Sequence, residues 1–204
     1  MQFSVKRTTF GKYTFDVSEE VYEPSEDSFL FAENLDVEES ALVLDVGTGC
    51  GILGILAAEK AAYVVAVDVN PYAIRCAKKN SVHNNVRGKM AFIQSGLLTA
   101  FNENAKFDLI LFNAPYLPSA ECEEDSWMVR SWAGGINGRQ VIDQFISQVP
   151  SHLKACGRIL LMQSNLANAE ETIRKFEEIS LKASIKAKCK LPFFETLTLI
   201  EAQK

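Results

Sequence analysis

The sequence lacks the patterns that several large classes of protein require. Its two histidines and five cysteines are scattered, with no Cys-x-x-Cys pair and no Cys/His cluster, so we predict no metal site. No apolar stretch approaches the ~18 residues of a membrane-spanning helix, and the N-terminus shows no signal-peptide core. Free thiols without such a signal favour a cytoplasmic protein.

Positive charge is also scarce. The 21 Lys and Arg residues are outnumbered by 26 Asp and Glu residues, and the net charge of -5 argues against a surface that binds duplex nucleic acid. There are no repeats, no low-complexity tract and no linker. We therefore expect residues 1–204 to form one domain, in which residues 1–36 are an N-terminal extension of a hairpin and a helix.

Glycines cluster after one buried strand. The strand predicted at residues 41–46 continues into a turn containing Gly47, Gly49, Gly51 and Gly54, and then into a helix that reaches about residue 60. Such a unit opens a nucleotide-binding α/β fold, because glycine lets the backbone approach a ligand closely. The next strand ends at Asp68, about 20 residues after Gly49, where an acid that accepts from ribose hydroxyls is expected.

The rest of the chain alternates between helical and extended patterns, which predicts an α/β fold with a mostly parallel sheet. Helices are expected over about 28–36, 71–83, 140–149 and 168–179. Strands are expected at 63–67, 90–94, 107–112, 157–162, 181–190 and 195–202, and residues 3–17 predict a hairpin. The long loop at 117–138 holds both tryptophans and an acidic patch of Glu121, Glu123, Glu124 and Asp125.

The strand at 107–112 ends in Asn113-Ala114-Pro115-Tyr116, at the edge where open α/β sheets bind ligands. Ala114 is biased towards extended geometry by the proline that follows, so its carbonyl can lie beside the Asn113 side chain. Two acceptors and an aromatic face suit a planar substrate that bears an NH2 group. An ordinary turn explains the tetrapeptide equally well, since Asn and Pro are turn residues.

Three features favour S-adenosylmethionine over a dinucleotide, although Gly49-x-Gly51-x-x-Gly54 satisfies the dinucleotide pattern. Asp45, at the end of the first strand of the sheet, would attract a cationic amino-acid group and repel a pyrophosphate. The glycines also repeat from Gly47 onward as a looser turn. Asn-Ala-Pro-Tyr has no role in hydride transfer.

These segments resemble a known family. Asp45–Gly51, Asp68 and Asn113–Tyr116 are similar to the class I methyltransferases that modify planar NH2 groups. Tyr22–Ser28 and Trp132–Arg139 resemble the archaeal and eukaryotic HemK-like branch, which methylates the glutamine in the Gly-Gly-Gln loop of a translation release factor. The resemblance implies a Rossmann-like fold of seven mostly parallel strands with an antiparallel last strand.

The resemblance also implies roles for individual residues. Asn113 and Ala114 would orient the acceptor nitrogen, Pro115 would stiffen the turn, and Tyr116 would pack on the amide plane. The expected cofactor-binding residues are Ser28, Asp45, Gly47, Thr48, Gly49, Gly51, Asp68, Val69, Gly96, Leu97 and Asn113. The expected substrate-binding residues are Asn113, Tyr116, Trp132, Gly134, Gly135, Asn137 and Arg139.

The chain departs from the family at two positions. Ala114 stands where the family usually has proline, so the turn loses stiffness but keeps its carbonyl acceptor. Gly96 stands where an acid commonly holds the adenine amino group, so adenine recognition would rest on the backbone N–H and C=O groups of Gly96 and Leu97, or on groups elsewhere.

The implied partners are a release factor, as substrate, and a small zinc-binding activator subunit. The activator would add a strand to the apolar sheet edge at residues 90–93. Two other functions stay open: an adenine-N6 or guanine-N2 methyltransferase acting on RNA or DNA, and a non-catalytic scaffold with a methyltransferase fold.

Overall fold

The computed structural model describes residues 5–119 and 126–204. A hairpin of β1 (Val5–Phe10) and β2 (Tyr13–Ser18) precedes the main sheet. The main sheet contains the remaining described strands, β3 (Leu42–Val46), β4 (Tyr63–Asp68), β5 (Met90–Gln94), β6 (Phe107–Asn113), β7 (Leu153–Ser164), β8 (Lys182–Lys190) and β9 (Thr196–Gln203).

The seven strands of this sheet lie in the order β5-β4-β3-β6-β7-β9-β8, and β9 alone runs antiparallel to its neighbours. The predicted Rossmann-like architecture with an antiparallel last strand is thus confirmed. The strand order reverses between β3 and β6, so a crevice opens at their carboxyl ends, where ligands bind in such sheets.

Helices cover both faces of the sheet. They are α1 (Glu26–Glu33), α2 (Ile52–Ala57), α3 (Pro71–His83), α4 (Trp127–Arg130), α5 (Gln140–Gln148) and α6 (Ala169–Glu178). Leu109 and Leu111 of β6 pack on the side of α1, α2 and α3, whereas Ile110 faces α5 and α6. Because β6 is buried on both faces, its sequence reads as one unbroken apolar run.

Several boundaries differ from the prediction. Helix α1 ends three residues early, because Asn34 caps it and donates from Nδ2 to the Leu30 carbonyl at 2.8 Å. Helix α2 stops at Ala57, and the Lys60 N–H closes a tighter turn onto the Ala57 carbonyl. Helix α4 was not predicted within the long loop. The acidic patch of that loop lies outside the described residues.

The hairpin is fixed to α3 by two asparagine side chains. Asn80 accepts from the Asp16 N–H at 3.0 Å and donates to the Asp16 carbonyl at 2.9 Å. Asn84 does the same to Thr14, at 3.1 and 2.8 Å. Each side-chain amide therefore makes the pair of hydrogen bonds to β2 that the backbone of a neighbouring strand would make. Asn70 then donates to the Glu20 carbonyl at 2.7 Å, which holds the segment before α1 over the sheet edge.

Among residues 5–119 and 126–204, no helix combines the length and the hydropathy of a membrane-spanning segment. No group of three or more His, Cys, Asp or Glu side chains among them could hold a metal ion.

Candidate active site

Two cavities meet at Asn113, at the carboxyl ends of the central strands. The larger cavity has a volume of about 360 Å³, which suits a nucleoside-sized ligand, and the smaller cavity has about 210 Å³. Tyr22, Asn113 and Ser131 line both. The larger cavity is lined by these predicted site residues: Gly47, Gly49, Asp68, Val69, Gly96, Leu97, Asn113 and Pro115. The smaller cavity is lined by Asn113, Ala114, Tyr116 and Trp132 of that set.

Asp45 supports the glycine turn from below. Its buried carboxylate accepts from Thr48 Oγ1 at 2.6 Å and from the Gly54 N–H at 3.0 Å. A Cβ on Gly54 would lie 2.7 Å from Asp45 Oδ2, and a Cβ on Gly51 would lie 3.0 Å from Ala77 Cβ. Asp45, Thr48 and Gly51 therefore shape the turn and line neither cavity. Burial raises the pKa of the Asp45 carboxyl to about 7.

Asp68 forms a polar wall of the larger cavity. Its Oδ2 accepts from the Gly49 N–H at 2.9 Å, and its Oδ1 accepts from the Asn70 N–H at 2.9 Å. A carboxylate offers about four acceptor positions, so each oxygen keeps one for a ligand. Two neighbouring hydroxyls of a ribose match this arrangement.

The loop after β5 has room but few free acceptors. A Cβ on Gly96 would meet nothing within 4 Å. The Gly96 carbonyl already accepts from the Thr99 N–H at 3.2 Å and from Thr99 Oγ1 at 2.9 Å. The geometry therefore does not favour the expected hydrogen bond from the adenine amino group to this carbonyl. Ser95, which the sequence reasoning missed, also lines the larger cavity.

Asn113 carries an acceptor without a partner. Its Nδ2 donates to Asp27 Oδ2 and to Ser28 Oγ, each at 3.3 Å. A carboxylate can only accept, so the amide nitrogen must face Asp27. Asn113 Oδ1 is buried, and no described residue donates to it. A buried unpaired acceptor is costly, so this oxygen is chemically suited to accept from the N–H group of a ligand. Ser28 lines neither cavity, and it is linked to both by the hydrogen bond that its Oγ accepts from Asn113 Nδ2.

Asp27 joins the acceptor groups into one network, although the sequence reasoning gave it no role. This buried carboxylate also accepts from the phenols of Tyr22 and Tyr116, each at 3.3 Å. Burial, reinforced by the Asp27 charge, raises the pKa of both phenols, so both remain neutral donors. Its place within Tyr22–Ser28 was the available signal, but an acid in the first turn of a helix is ordinarily explained by the helix dipole.

The segment after α4 runs beside the chain that leaves β6. Leu117 N–H donates to the Trp132 carbonyl at 3.0 Å, and Gly134 N–H donates to the Leu117 carbonyl at 2.8 Å. These bonds bring Trp132 to the smaller cavity. Gly134 lines neither cavity, and a Cβ there would lie 2.6 Å from the Gly138 carbonyl oxygen. This glycine therefore serves the fold of the turn.

Arg139 was predicted to bind substrate, but its guanidinium points into the protein. It is 6% exposed and donates to the carbonyls of Ala167 and Asn168, to Thr172 Oγ1 at 3.0 Å and to Asp143 Oδ1 at 2.7 Å. It fastens the segment to α6. Gly135 and Asn137 also line neither cavity, and Asn137 Oδ1 accepts from the Arg139 N–H at 3.1 Å.

Helix α4 covers the larger cavity. Trp127 and Arg130 both line it, and the Arg130 guanidinium lies 5.0 Å from the centre of the Trp127 ring. Ser126 caps this short helix by accepting from the Val129 N–H at 3.2 Å. The length of the loop signalled a functional segment, but nothing in its sequence identified these two residues as cavity lining.

The chain is similar to known methyltransferases. Residues 22–129 match the model of the family described as Methyltransferase small domain. A provisionally named protein N5-glutamine methyltransferase of Methanocaldococcus jannaschii is 42% identical over 182 residues, covering 88% of this chain and 90% of the relative. Methyltransferase HEMK2 of Homo sapiens is 34% identical over 168 residues, covering 76% and 77%.

A solved structure supports the fold. A chain of the E. cuniculi Mtq2–Trm112 complex, described as responsible for the methylation of the eRF1 translation termination factor, superposes with a TM-score of 0.71 at 24% identity. The superposition covers 91% of this chain and 99% of that one. With more than half of its length matched by the family model, the chain belongs to the methyltransferase small-domain family, and within it to the HemK-like class I methyltransferases.

Proposed function

We propose that this chain transfers the methyl group of S-adenosylmethionine to the side-chain nitrogen of the glutamine in the Gly-Gly-Gln loop of a class 1 translation release factor. The observation that carries the proposal is the buried, unpartnered Oδ1 of Asn113 at the junction of the two cavities. The names of the two relatives, one of which specifies glutamine N5-methylation, support an amide as the acceptor.

The larger cavity fits S-adenosylmethionine. Asp68 offers an acceptor on each oxygen to the ribose hydroxyls, and the open space beside Gly49 admits the ligand against the turn. The N–H groups of Gly96 and Leu97 remain to hold the adenine. When bound, the cofactor supplies a sulfonium methyl group, which is the electrophile. Asp45 acts on the cofactor through the turn and not by direct contact.

The smaller cavity holds the acceptor amide. An amide nitrogen is a weak nucleophile, because its lone pair is delocalised into the carbonyl. Asn113 Oδ1 and the Ala114 carbonyl would accept its two N–H groups and fix its direction. The Ala114 carbonyl receives no backbone hydrogen bond from residues 5–119 or 126–204, so it too is free to accept. Such positioning can contribute ~7–11 kcal/mol in ideal cases.

Asp27 and Tyr116 complete the arrangement. Asp27 holds the Nδ2 side of Asn113, which turns Oδ1 towards the acceptor. The bond from the Tyr116 phenol to Asp27 fixes the ring, whose face would pack on the glutamine amide. As the N–C bond forms and the S–C bond breaks, the amide nitrogen becomes acidic and gives its proton to water.

A small zinc-binding activator subunit is part of this proposal. Strand β5 lies at the edge of the sheet and pairs only with β4 among the described strands, so its other side is open to strand addition. The E. cuniculi Mtq2 chain is described in a complex with Trm112, which supports a partner subunit for this chain. We further propose that residues 1–204 act as one methyltransferase domain in the cytoplasm.

The test is methyl transfer from labelled S-adenosylmethionine, with and without the activator subunit. We expect one methyl group on the loop glutamine of the release factor and none on a matched factor whose loop carries glutamate, which has no NH2 group. Label on bulk RNA but not on the factor would overturn the proposal in favour of base methylation. No label and no cofactor binding in calorimetry would indicate a scaffold.

A further inference from the structure

Two adjacent phenylalanines are almost fully exposed at the tip of the hairpin that connects β8 to β9. Phe193 and Phe194 are each 97% exposed, whereas a lone exposed aliphatic side chain is ordinary on a protein surface. Ile136 at 75% and Leu166 at 49% are exposed on neighbouring loops. We call these four side chains the apolar rim. Large apolar side chains that are exposed on neighbouring loops are characteristic of interaction sites.

The hairpin tip lies at the same edge of the sheet as Asn113. Because β9 is antiparallel to β7, its first residues sit beside the carboxyl end of β7, where Leu197 pairs with Ser164. Met162 of β7 in turn pairs with Asn113. Glu195, next to Phe194, is also near enough to Tyr116 to join burial, Asp27 and Tyr22 in raising the pKa of that phenol.

Hydrogen bonds link the three loops that carry the apolar rim. Asn165 donates from Nδ2 to the Phe194 carbonyl at 3.3 Å and accepts at Oδ1 from the Thr196 N–H at 2.8 Å. Arg139 donates to the Asn168 carbonyl at 2.8 Å, which ties the segment of Ile136 to the segment of Leu166. The apolar rim is therefore carried by one set of hydrogen-bonded loops at the same edge of the sheet as Asn113.

The backbone at the tip of this hairpin is strained, and packing of the two rings does not compensate for the strain. Phe193 and Phe194 have φ values of 60° and 65°, in the left-handed region that favours glycine or asparagine. Neither ring recovers this cost by packing, since both are exposed. Strain that persists in this way is characteristic of functional segments.

We propose that the apolar rim is a docking surface for the body of the acceptor protein, outside the loop that carries its target glutamine. This inference rests on the proposed function. Lys188 and Lys190 of β8 flank the tip, are exposed, and form no ion pair with a described residue. The complementary surface on the release factor is therefore apolar and bordered by acidic side chains.

The test uses the full chain with the substitutions Phe193→Asn and Phe194→Gly together. Both new residues accept a positive φ, so the hairpin should fold at least as stably as before. Val82→Ala, at a position on α3 that is 59% exposed, is the matched control for loss of exposed apolar surface. Each variant is assayed with the intact release factor and with a short peptide of its Gly-Gly-Gln loop.

We expect the double variant to raise the KM for the intact factor about tenfold or more, with kcat and the KM for the peptide unchanged. Its dissociation constant for the factor, measured by calorimetry with the product cofactor, should rise equally. Failure of the proposed function would appear as no label from the wild-type chain. Equal dissociation constants for wild type and double variant would overturn the docking site, as would a wild-type dimer that the double variant loses.

Discussion

The glycine turn and Asp68, on one side of the larger cavity, come from one stretch of chain, residues 47–70, whereas the smaller cavity is assembled from three separate segments. Backbone N–H groups and a single carboxylate form the polar part of that stretch. Side chains before and at the start of α1, at the end of β6 and after α4 form the smaller cavity. The difference shows that one side of a cavity can be specified by local glycine spacing, whereas a cavity built from distant segments depends on the whole fold.

Asp68→Ala should have the largest effect on the larger cavity. It removes two charge-assisted hydrogen bonds to the ligand and also the acceptor of the Gly49 N–H. At ~1.5–3 kcal/mol each, loss of the ligand bonds should raise the cofactor dissociation constant about a thousandfold. Calorimetry with S-adenosylmethionine measures this. An unchanged constant would mean that the ribose lies elsewhere.

Asp27→Asn should affect the smaller cavity alone. An amide cannot accept from Asn113, Ser28, Tyr22 and Tyr116 together, so Asn113 loses its fixed orientation. We expect kcat to fall about 10–100-fold, with the cofactor dissociation constant unchanged. Glu26→Gln is the matched control, because it removes the same charge from the exposed neighbouring position. A similar fall in kcat in both variants would mean that Asp27 has no specific role in orienting Asn113.

Arg139→Met should change stability more than either cavity. Loss of its buried guanidinium removes the hydrogen bonds to Ala167, Asn168 and Thr172, which should lower the free energy of unfolding by ~1–3 kcal/mol. Arg174→Met, at an exposed ion pair, should change the free energy of unfolding much less, because solvent screens such pairs. Urea denaturation compares the two. A raised KM for the release factor at unchanged stability would restore the substrate-binding role predicted from the sequence.

Asp45→Asn should leave transfer at neutral pH least changed, since Asp45 lines neither cavity. In the wild type the folded carboxyl titrates near pH 7 and the unfolded one near about 4, so unfolding releases a proton between these values. Stability should therefore fall as pH rises from about 4 to about 7, and stay level above. The variant should lose this slope in denaturation measured across that range. If the variant kept this dependence of stability on pH, another titratable group would be its cause.

The same difference between local patterns and distant contacts decides which features could be predicted from the sequence. The strand, turn and helix around Gly47–Gly54 and the acid at Asp68 are local patterns, and the structure keeps their spacing. Buried on both faces, β6 also reads directly as a strand. Helix α4 is a single turn held by the Ser126 cap, too short for a periodic pattern.

The acceptor network could not be read in this way, because it is made of contacts between distant residues. Asp27 and Asn113 are 86 positions apart, and only the fold shows that they touch. Arg139 shows the opposite case, in which the sequence suggested a substrate contact that the side chain's position does not favour. A motif next to a site suggested substrate contact, whereas the burial of its guanidinium against α6 is a packing property that spacing does not reveal.

We propose that Asn113 serves the acceptor and not the cofactor, and a single preparation of Asn113→Ala separates the two roles. Methyl transfer to the release factor and the cofactor dissociation constant are measured on the same sample. We predict a fall in kcat of about a hundredfold to a thousandfold with unchanged cofactor affinity. A parallel loss of both, or retained transfer, would contradict the claim.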